Sequence, residues 1–441
     1  MEKTEKLYED AYTIIRRSIA ANLPQAAVRD ALKTRRFTGT LSLVAIGKAA
    51  WTMALAAKAE LGDRITSGIV ITKYGHAEHP IPGLEIIEAG HPISDENTLL
   101  GTARALDLAR GLGKDDELLF LISGGGSALF EKPLEGIGLS DLAAINTRLL
   151  ASGADIVEIN MIRKRLSAVK AGRFAQICEP ARVFTVVLSD VLGDRLDSIA
   201  SGPAAPDLST ADDALRVVDK YGLPIDRRIR EYLMRETPKS LGNVETVITG
   251  SVRTLCESAA RCAADLGYTP YILCTDMNGE AREAGRLMAA MARHIGEGHG
   301  SIQPPCAVIL GGETVVRLKG AGKGGRNQEL ALAAAAGIAG LENLVVFSVG
   351  SDGTDGPTDA AGGIVDGTTL SRLREQGLAL EDILDNNDSY RGLEAVNGLI
   401  KTGPTGTNVN DIAVILHQPP AVSYAASDGP PAAGGQPPAV S

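Results

Sequence analysis

Aromatic side chains are scarce, at 4 % of 441 residues with a single Trp. A chain this long can hold two domains, each with its own core, and with so few rings those cores must be built from Ala, Val, Leu and Ile. Cysteine is sparse as well. The five (Cys178, Cys256, Cys262, Cys274 and Cys306) are odd in number, scattered and without a C-x-x-C. That argues against a disulfide framework or a zinc site and fits a reducing, cytoplasmic setting. Positive charge is in deficit: the formal net charge is −10, whereas a nucleic-acid binder normally carries a basic face. A local basic pocket for a small anion remains compatible with that balance. No apolar run reaches the roughly 18 residues that cross a bilayer, and Met1–Leu7 mixes Glu and Lys with no apolar signal core. No membrane partner and no nucleic-acid partner is expected. The longest apolar stretch, Leu330–Leu341, is Ala-rich and suits a buried helix.

Two stock signatures are also missing. Without G-x-x-x-x-G-K-[ST] the chain is not a P-loop kinase, and without G-x-S-x-G an α/β-hydrolase elbow has no basis.

Glycine, by contrast, is abundant, with 50 residues, too many for helix ends alone; many must sit in tight turns or where backbone approaches a ligand. Apolar, β-branched runs predict strands at Leu41–Ile46, Gly68–Thr72, Leu118–Ile122, Val183–Leu188, Thr246–Thr249, Tyr271–Cys274, Ala307–Leu310, Leu344–Val349 and Ile412–Leu416. Segments with a period near 3.6 lie between many of them, among them Asp95–Leu112, Leu139–Ala151, Met161–Cys178, Arg253–Leu266 and Asn327–Ile338. Such alternation predicts an α/β protein with mainly parallel, Rossmann-like sheets covered by helices. Turn-rich Ser201–Asp207 and the linker-like Thr237–Asn243 place a division near residue 240, giving domains over 1–240 and 241–418. From Pro419 the chain is rich in Pro, Ala, Gly and Ser, and QPPAVS occurs at both Gln418–Ser423 and Gln436–Ser441. A tail of that composition, 419–441, is expected to be disordered.

Ligands of open parallel sheets gather at the carboxyl ends of the strands. Here those ends carry Gly47-Lys48, Ser123-Gly124-Gly125-Gly126-Ser127, Ser189-Asp190 with Asp194, Gly311-Gly312-Glu313 and Gly350-Ser351-Asp352, and Asn408 and Asp411 flank the start of the last strand. Glycine with Lys, Ser and Asp suits phosphate and metal handling, because bare N–H groups attract anions and carboxylates can hold Mg²⁺ between phosphates. Lys48 at the positive end of a helix calls for a nearby anion. His76, Glu78 and His79 have no metal spacing and read as loop surface. Asp190 and Asp194 could equally be helix caps, and Asp352, Asp355 and Asp359 turn formers. Gly320-Ala321-Gly322-Lys323-Gly324-Gly325 satisfies G-x-G-x-x-G after a strand-like Thr314–Leu318, the basis for a dinucleotide-binding alternative.

Taken together, VAIGKAA (Val44–Ala50), GHPISDEN (Gly90–Asn97), LISGGGSALF (Leu121–Phe130), INMIRKRLSAVKAGRFA (Ile159–Ala175), VLSDVLGDRLDSIASGP (Val187–Pro203), GGETVV (Gly311–Val316), GKGGRNQELAL (Gly322–Leu332), SDGTDGPTDAAGG (Ser351–Gly363) and TGPTGTNVNDI (Thr402–Ile412) make the chain resemble the glycerate 2-kinase family. That family's C-terminal part is called the MOFRL domain, and its members were often labelled hydroxypyruvate reductases. The resemblance implies phosphorylation of D-glycerate at its 2-hydroxyl, with ATP and a divalent cation such as Mg²⁺, in a cleft between two α/β domains. It implies that Lys48 and Arg326 are the essential basic residues and that Ser123–Ser127 forms part of a phosphate-binding wall.

Phosphoryl transfer needs in-line positioning and charge neutralisation. Lys48, Asp190 and Arg326 are therefore the expected catalytic residues, with Arg326 gripping a carboxylate or the moving phosphoryl group and Asp190 accepting the hydroxyl proton. Ser123, Gly124, Gly125, Gly126, Ser127, Glu313 and Asn327 are expected to bind substrate or phosphate. Gly324, Gly325, Asn408 and Asp411 are assigned to the nucleotide, and Asp194 and Asp352 to the metal. An NAD(P)H-dependent hydroxypyruvate reductase is the alternative, and a non-catalytic nucleotide-binding scaffold a third reading. A homo-oligomer is left open.

Overall fold

Val-, Ile- and Leu-rich runs separated by amphipathic segments cannot bury both kinds of face except by layering helices on sheets, and a computed structural model, which describes residues 2–33 and 35–419, has two such sheets. The first contains β1 (Thr40–Ile46), β2 (Ile65–Lys73), β3 (Leu84–Ala89), β4 (Asp116–Ile122), β5 (Arg182–Leu188) and β6 (Val244–Gly250) in the order β3-β2-β1-β4-β5-β6. All its pairings are parallel. This is the strand order of doubly wound nucleotide-binding sheets, whose reversal lies between β1 and β4.

The second sheet contains β7 (Thr269–Met277), β8 (Cys306–Gly312), β9 (Leu344–Gly350), β10 (Gly362–Asp366), β11 (Leu399–Ile400) and β12 (Asp411–His417), ordered β11-β10-β9-β12-β8-β7. Its pairings depart from the expected parallel pattern. Only β7–β8 is parallel; β12 inserts antiparallel between β8 and β9, and β10 and β11 follow antiparallel. The cause is chain return: β12 comes back as the last strand and takes the central slot, so both its neighbours run against it.

The division expected near residue 240 also needs adjusting. β6 still pairs with β5, so the chain leaves the first sheet only after Gly250. The helix Glu2–Ala21 belongs with the second sheet instead: Tyr8 donates to Asp366 at 3.0 Å and Tyr268 to Asp10 at 2.8 Å. One apolar core is continuous between the sheets, joining Leu43 and Ala45 of β1 to Phe347 and Val349 of β9 through the helices Glu2–Ala21, Ala50–Leu61 and Val252–Asp265.

The expected helix Met161–Cys178 is two helices, Ile156–Arg165 and Arg173–Ile177. Ala171 and Gly172 take φ of 56° and 79°, a left-handed turn that no helix can continue through. Thr314–Leu318 forms only an isolated bridge at Val315 rather than a strand. Residues 420–441, which hold nearly all of the Pro/Ala/Gly tail, lie outside the described residues. Among those described, no helix is long and apolar enough to cross a membrane.

Candidate functional site

The carboxyl ends of β1 and β4 are tied directly together. Ser123 NH and Oγ both donate to the Ile46 carbonyl, at 3.0 and 3.2 Å, and Ser123 Oγ accepts from Ala49 NH at 3.1 Å. Lys48 NH donates to the Gly124 carbonyl at 2.9 Å. Gly47 is required here: its φ is 112°, and a Cβ would fall 2.3 Å from Ser123 Oγ. This lacing holds Lys48 and the glycine-rich loop in one frame at the sheet's switch point.

The loop rests on a rigid base. Phe120, Phe130 and Phe174 pack with ring centroids 4.8 to 6.1 Å apart and are fully buried, each contributing roughly 2–3 kcal/mol. Lys170, equally buried, donates to the Ser127 carbonyl at 2.8 Å and the Phe130 carbonyl at 3.2 Å and pairs with Glu131 at 3.0 Å. Burial pulls its ammonium below the ordinary lysine range.

A cleft of about 440 Å³ opens above this frame, with Lys48, Ser123, Gly124 and Asp190 from the first half of the chain and Asp352, Gly406, Thr407 and Asn408 from the second. Asp190 lies against the loop so closely that a Cβ on Gly124 would sit 2.3 Å from its Oδ2. Burial raises the Asp190 carboxyl, Lys48 opposes that, and Glu313 adds to it. His91 approaches from the other side, with its ring 3.0 Å from the position of a Gly125 Cβ and Lys48 Cγ 3.2 Å from it. Its imidazole is pulled down by burial and then by Lys48, Lys73 and His76, which identifies a basic cluster. His76 and Glu78, read as loop surface, are exposed and line the cleft, and His76 Nδ1 lies 2.9 Å from the Lys48 carbonyl. His91 had no metal-like or catalytic spacing to mark it; only its place in GHPISDEN pointed that way.

Other expected residues are elsewhere. Gly126 packs under Ala200, where a Cβ would come within 2.8 Å, and Ser127 Oγ faces Ser201 Oγ at 2.9 Å, on the far side of the loop from Lys48. Asp194 does not join Asp352; it lines a separate cavity, because Gly193 and Asp194, with φ of 77° and 52°, turn the chain away. Arg326 is already engaged by carboxylates of its own chain. Nε and Nη2 contact Asp411 at 2.5 and 3.0 Å and Nη1 contacts Glu313 at 2.9 Å, so Arg326, Glu313 and Asp411 form a network beside the cleft rather than on its wall.

The start of the helix Arg326–Gly337 is occupied too. The Asn327 and Gln328 amides donate to the two Asp355 carboxylate oxygens at 3.1 and 2.8 Å, leaving no anion site there. Asn327 is buried, and its Oδ1 accepts from Ser348 Oγ at 2.6 Å; it is a core group. Gly324 and Gly325 accommodate neighbours of the same chain, since a Cβ would fall 2.1 Å from Ser389 Oγ and 2.3 Å from Asp355 Cγ respectively. Gly320 and Gly322 press likewise on Asn386 and Asp388. The G-x-G-x-x-G stretch is thus closed by Asn386–Ser389, and a pyrophosphate has no approach to its backbone. This removes the structural basis for the dinucleotide alternative.

Among the described residues, no group of three or more His, Cys, Asp and Glu converges as a metal cage. The carboxylates on the cleft wall are Glu78, Asp190 and Asp352. That set fits a hard cation carried mainly by substrate phosphates and touched by one or two carboxylates.

Comparison with known proteins agrees with this arrangement. Residues 10–234 match the family described as a domain of unknown function, DUF4147, and residues 306–411 match the MOFRL family. The chain is 50 % identical to the D-glycerate 2-kinase of Thermotoga maritima, over 93 % of this chain and 99 % of that protein. It is 43 % identical to the glycerate 2-kinase of Pyrococcus horikoshii, over 86 % of this chain and 87 % of the relative. The crystal structure of a glycerate kinase from Thermotoga maritima superposes with a TM-score of 0.90, covering 94 % of this chain and all of that one. With both halves matched and near-complete coverage of relatives well above 30 % identity, the chain belongs to the glycerate 2-kinase family.

Proposed function

We propose that this protein transfers the γ-phosphoryl group of ATP to the 2-hydroxyl of D-glycerate, giving 2-phosphoglycerate and ADP. The observation that carries the reading is the single cleft that unites Lys48, the Gly124–Gly125 wall and Asp190 with Asp352 from the other sheet. In the reaction the 2-hydroxyl oxygen bonds to the γ-phosphorus, the bond from that phosphorus to the β-bridging oxygen breaks, and the hydroxyl proton passes to Asp190. The raised carboxyl of Asp190 suits a general base.

Lys48 supplies a point charge to the glycerate carboxylate or the transferring group, and the Gly124 and Gly125 backbone allows that group to come close. Arg326 acts through others: it fixes Asp411 and Glu313 at the edge of the cleft, and so is a positioning residue. Asp352 is the residue that would hold Mg²⁺, which when bound neutralises phosphate charge. A cytoplasmic setting accords with five unpaired cysteines.

The test is phosphorus NMR of the product made from ATP, magnesium and D-glycerate, alongside NADH absorbance with hydroxypyruvate. A 2-phosphate ester and ADP, with no nicotinamide turnover, are expected. NADH consumption without ADP would reject the kinase reading.

A further inference from the structure

A second cavity, of about 850 Å³, lies behind the glycine-rich loop. We propose that it receives the adenosine end of ATP, while the triphosphate runs along the Ser123–Ser127 loop to Lys48. The proposal rests on the kinase reading and adds the place of the nucleoside.

Size and location come first. The cavity falls in the range of about 300–1,000 Å³ typical of small-molecule sites and is nearly twice the cleft that holds Lys48. Asp190 lines the cleft and Asp194 lines the cavity; four residues of chain span at most about 14 Å. The glycine-rich loop connects the same two spaces. At one end Lys48 NH holds the Gly124 carbonyl. At the other, Ser127 Oγ meets Ser201 Oγ at 2.9 Å, and Ser201 Oγ donates to Asn160 Oδ1 at 3.4 Å, Asn160 being a buried wall residue of the cavity. A ligand seated in both spaces must pass over this loop.

The chemistry of the wall selects which end of the nucleotide enters. Lys164, with only 4 % of its side chain exposed, is held by Asp197 at 3.1 Å and Asp207 at 3.6 Å. Arg195 pairs with the same Asp197 at 3.1 Å. Both cations are neutralised, and Asp194 and Asp213 add further negative charge to the lining, so a polyphosphate is repelled. A neutral nucleoside is not: the Asp194 and Asp213 carboxylates of the lining can accept from a ribose hydroxyl or an exocyclic amine. Apolar surface for a base is present in Val157, Met161 and Leu241, and Leu208 stands at the rim 80 % exposed.

The test is photolabelling of the full chain with an azido-adenine analogue of ATP, followed by peptide mapping. Label is expected on peptides covering 157–164 or 204–209, competed away by ATP. Label confined to 320–328 or 405–411, or no competable label, would overturn the proposal. In parallel, Leu208→Arg, a change at an exposed position, should raise the KM for ATP by about tenfold while the KM for glycerate and kcat at saturating ATP hold; an unchanged KM for ATP sinks the idea. Labelling reads binding alone, so it judges the cavity even where the wild-type protein forms no ADP with glycerate, a result that counts against the kinase reading instead.

Discussion

Arg326 and Asp411 meet in a two-point contact, Nε to Oδ2 at 2.5 Å and Nη2 to Oδ1 at 3.0 Å, across 85 positions of sequence. Asp411 is buried, with 6 % of its side chain exposed, and Arg326 is one-third exposed. The geometry is that of a planar fork on a carboxylate, which a lysine cannot reproduce.

Arg326→Lys should therefore lower kcat by about tenfold or more, through a displaced Asp411 and Glu313 rather than a lost ligand contact. Arg326→Ala should in addition lower stability by about 1–3 kcal/mol, the range being reduced for the exposure of the arginine. Steady-state kinetics and thermal unfolding of both variants check this. Wild-type kcat in Arg326→Lys would show that the network does not position the cleft.

Among the described residues Lys48 has no side-chain ion pair to break, so its replacement separates chemistry from folding. Lys48→Ala is expected to lower kcat/KM on the order of a hundredfold or more with an unchanged melting temperature. Retained turnover would remove Lys48 from the reaction.

Gly124→Ala places a methyl group 2.3 Å from Asp190 Oδ2, closer than any real contact, so the carboxylate must move. A shift of about 1 Å in a reacting group can cost on the order of a hundredfold in rate. Initial rates in this variant should fall far more than the affinity for ATP, as read by titration.

The pH profile should respond to Glu313 in a defined direction. Asp190 works ionised, and its carboxyl is raised by burial, lowered by Lys48 and raised again by Glu313. Neutralising Glu313 in Glu313→Gln removes a charge that opposes ionisation, so the acid limb of kcat/KM moves to lower pH. A limb that stays in place, or moves upward, contradicts Asp190 as the base.

Asp355 links the same region to stability. Burial raises its carboxyl from 3.8 to about 6, against the hydrogen bonds from Gln328 and Asn327. A carboxyl that binds its proton more tightly when folded makes stability fall as pH rises from about 4 to about 6, by up to about 3 kcal/mol. Denaturant unfolding across that window should show the slope, and Asp355→Asn should flatten it.

The strands were legible wherever they were long and apolar: all nine expected runs lie within strands. β3, with two glutamates in LEIIEA, and β10, opening on Gly362-Gly363, carried too weak a pattern. The period of Met161–Cys178 was real as a buried face, but Ala171 and Gly172 turn the chain within it. That Lys48, Gly124 and Asp190 would line one cleft was legible because they follow strands that enter one parallel sheet, where strand ends must share an edge. His91 and His76 were not, since they arrive on loops with no spacing of their own. Gly324, Gly325 and Asn327 were misread for the opposite reason: a glycine-rich helix start has the same appearance whether it receives a phosphate or a neighbouring carboxylate such as Asp355.

By itself the sequence determined the layered α/β character, the glycine and Lys or Asp at strand ends, and the family, because these are properties of local pattern and of long collinear motifs. Only the tertiary structure decided that Asp352 and Asn408 face Lys48, that Asp194 turns into another cavity, and that Arg326 is already engaged by Asp411. The reason is physical. Periodicity fixes which side chains are buried, but the partner of a charge is set by contacts between distant segments, and a guanidinium satisfies its donors with whichever carboxylate the packed sheets bring within reach.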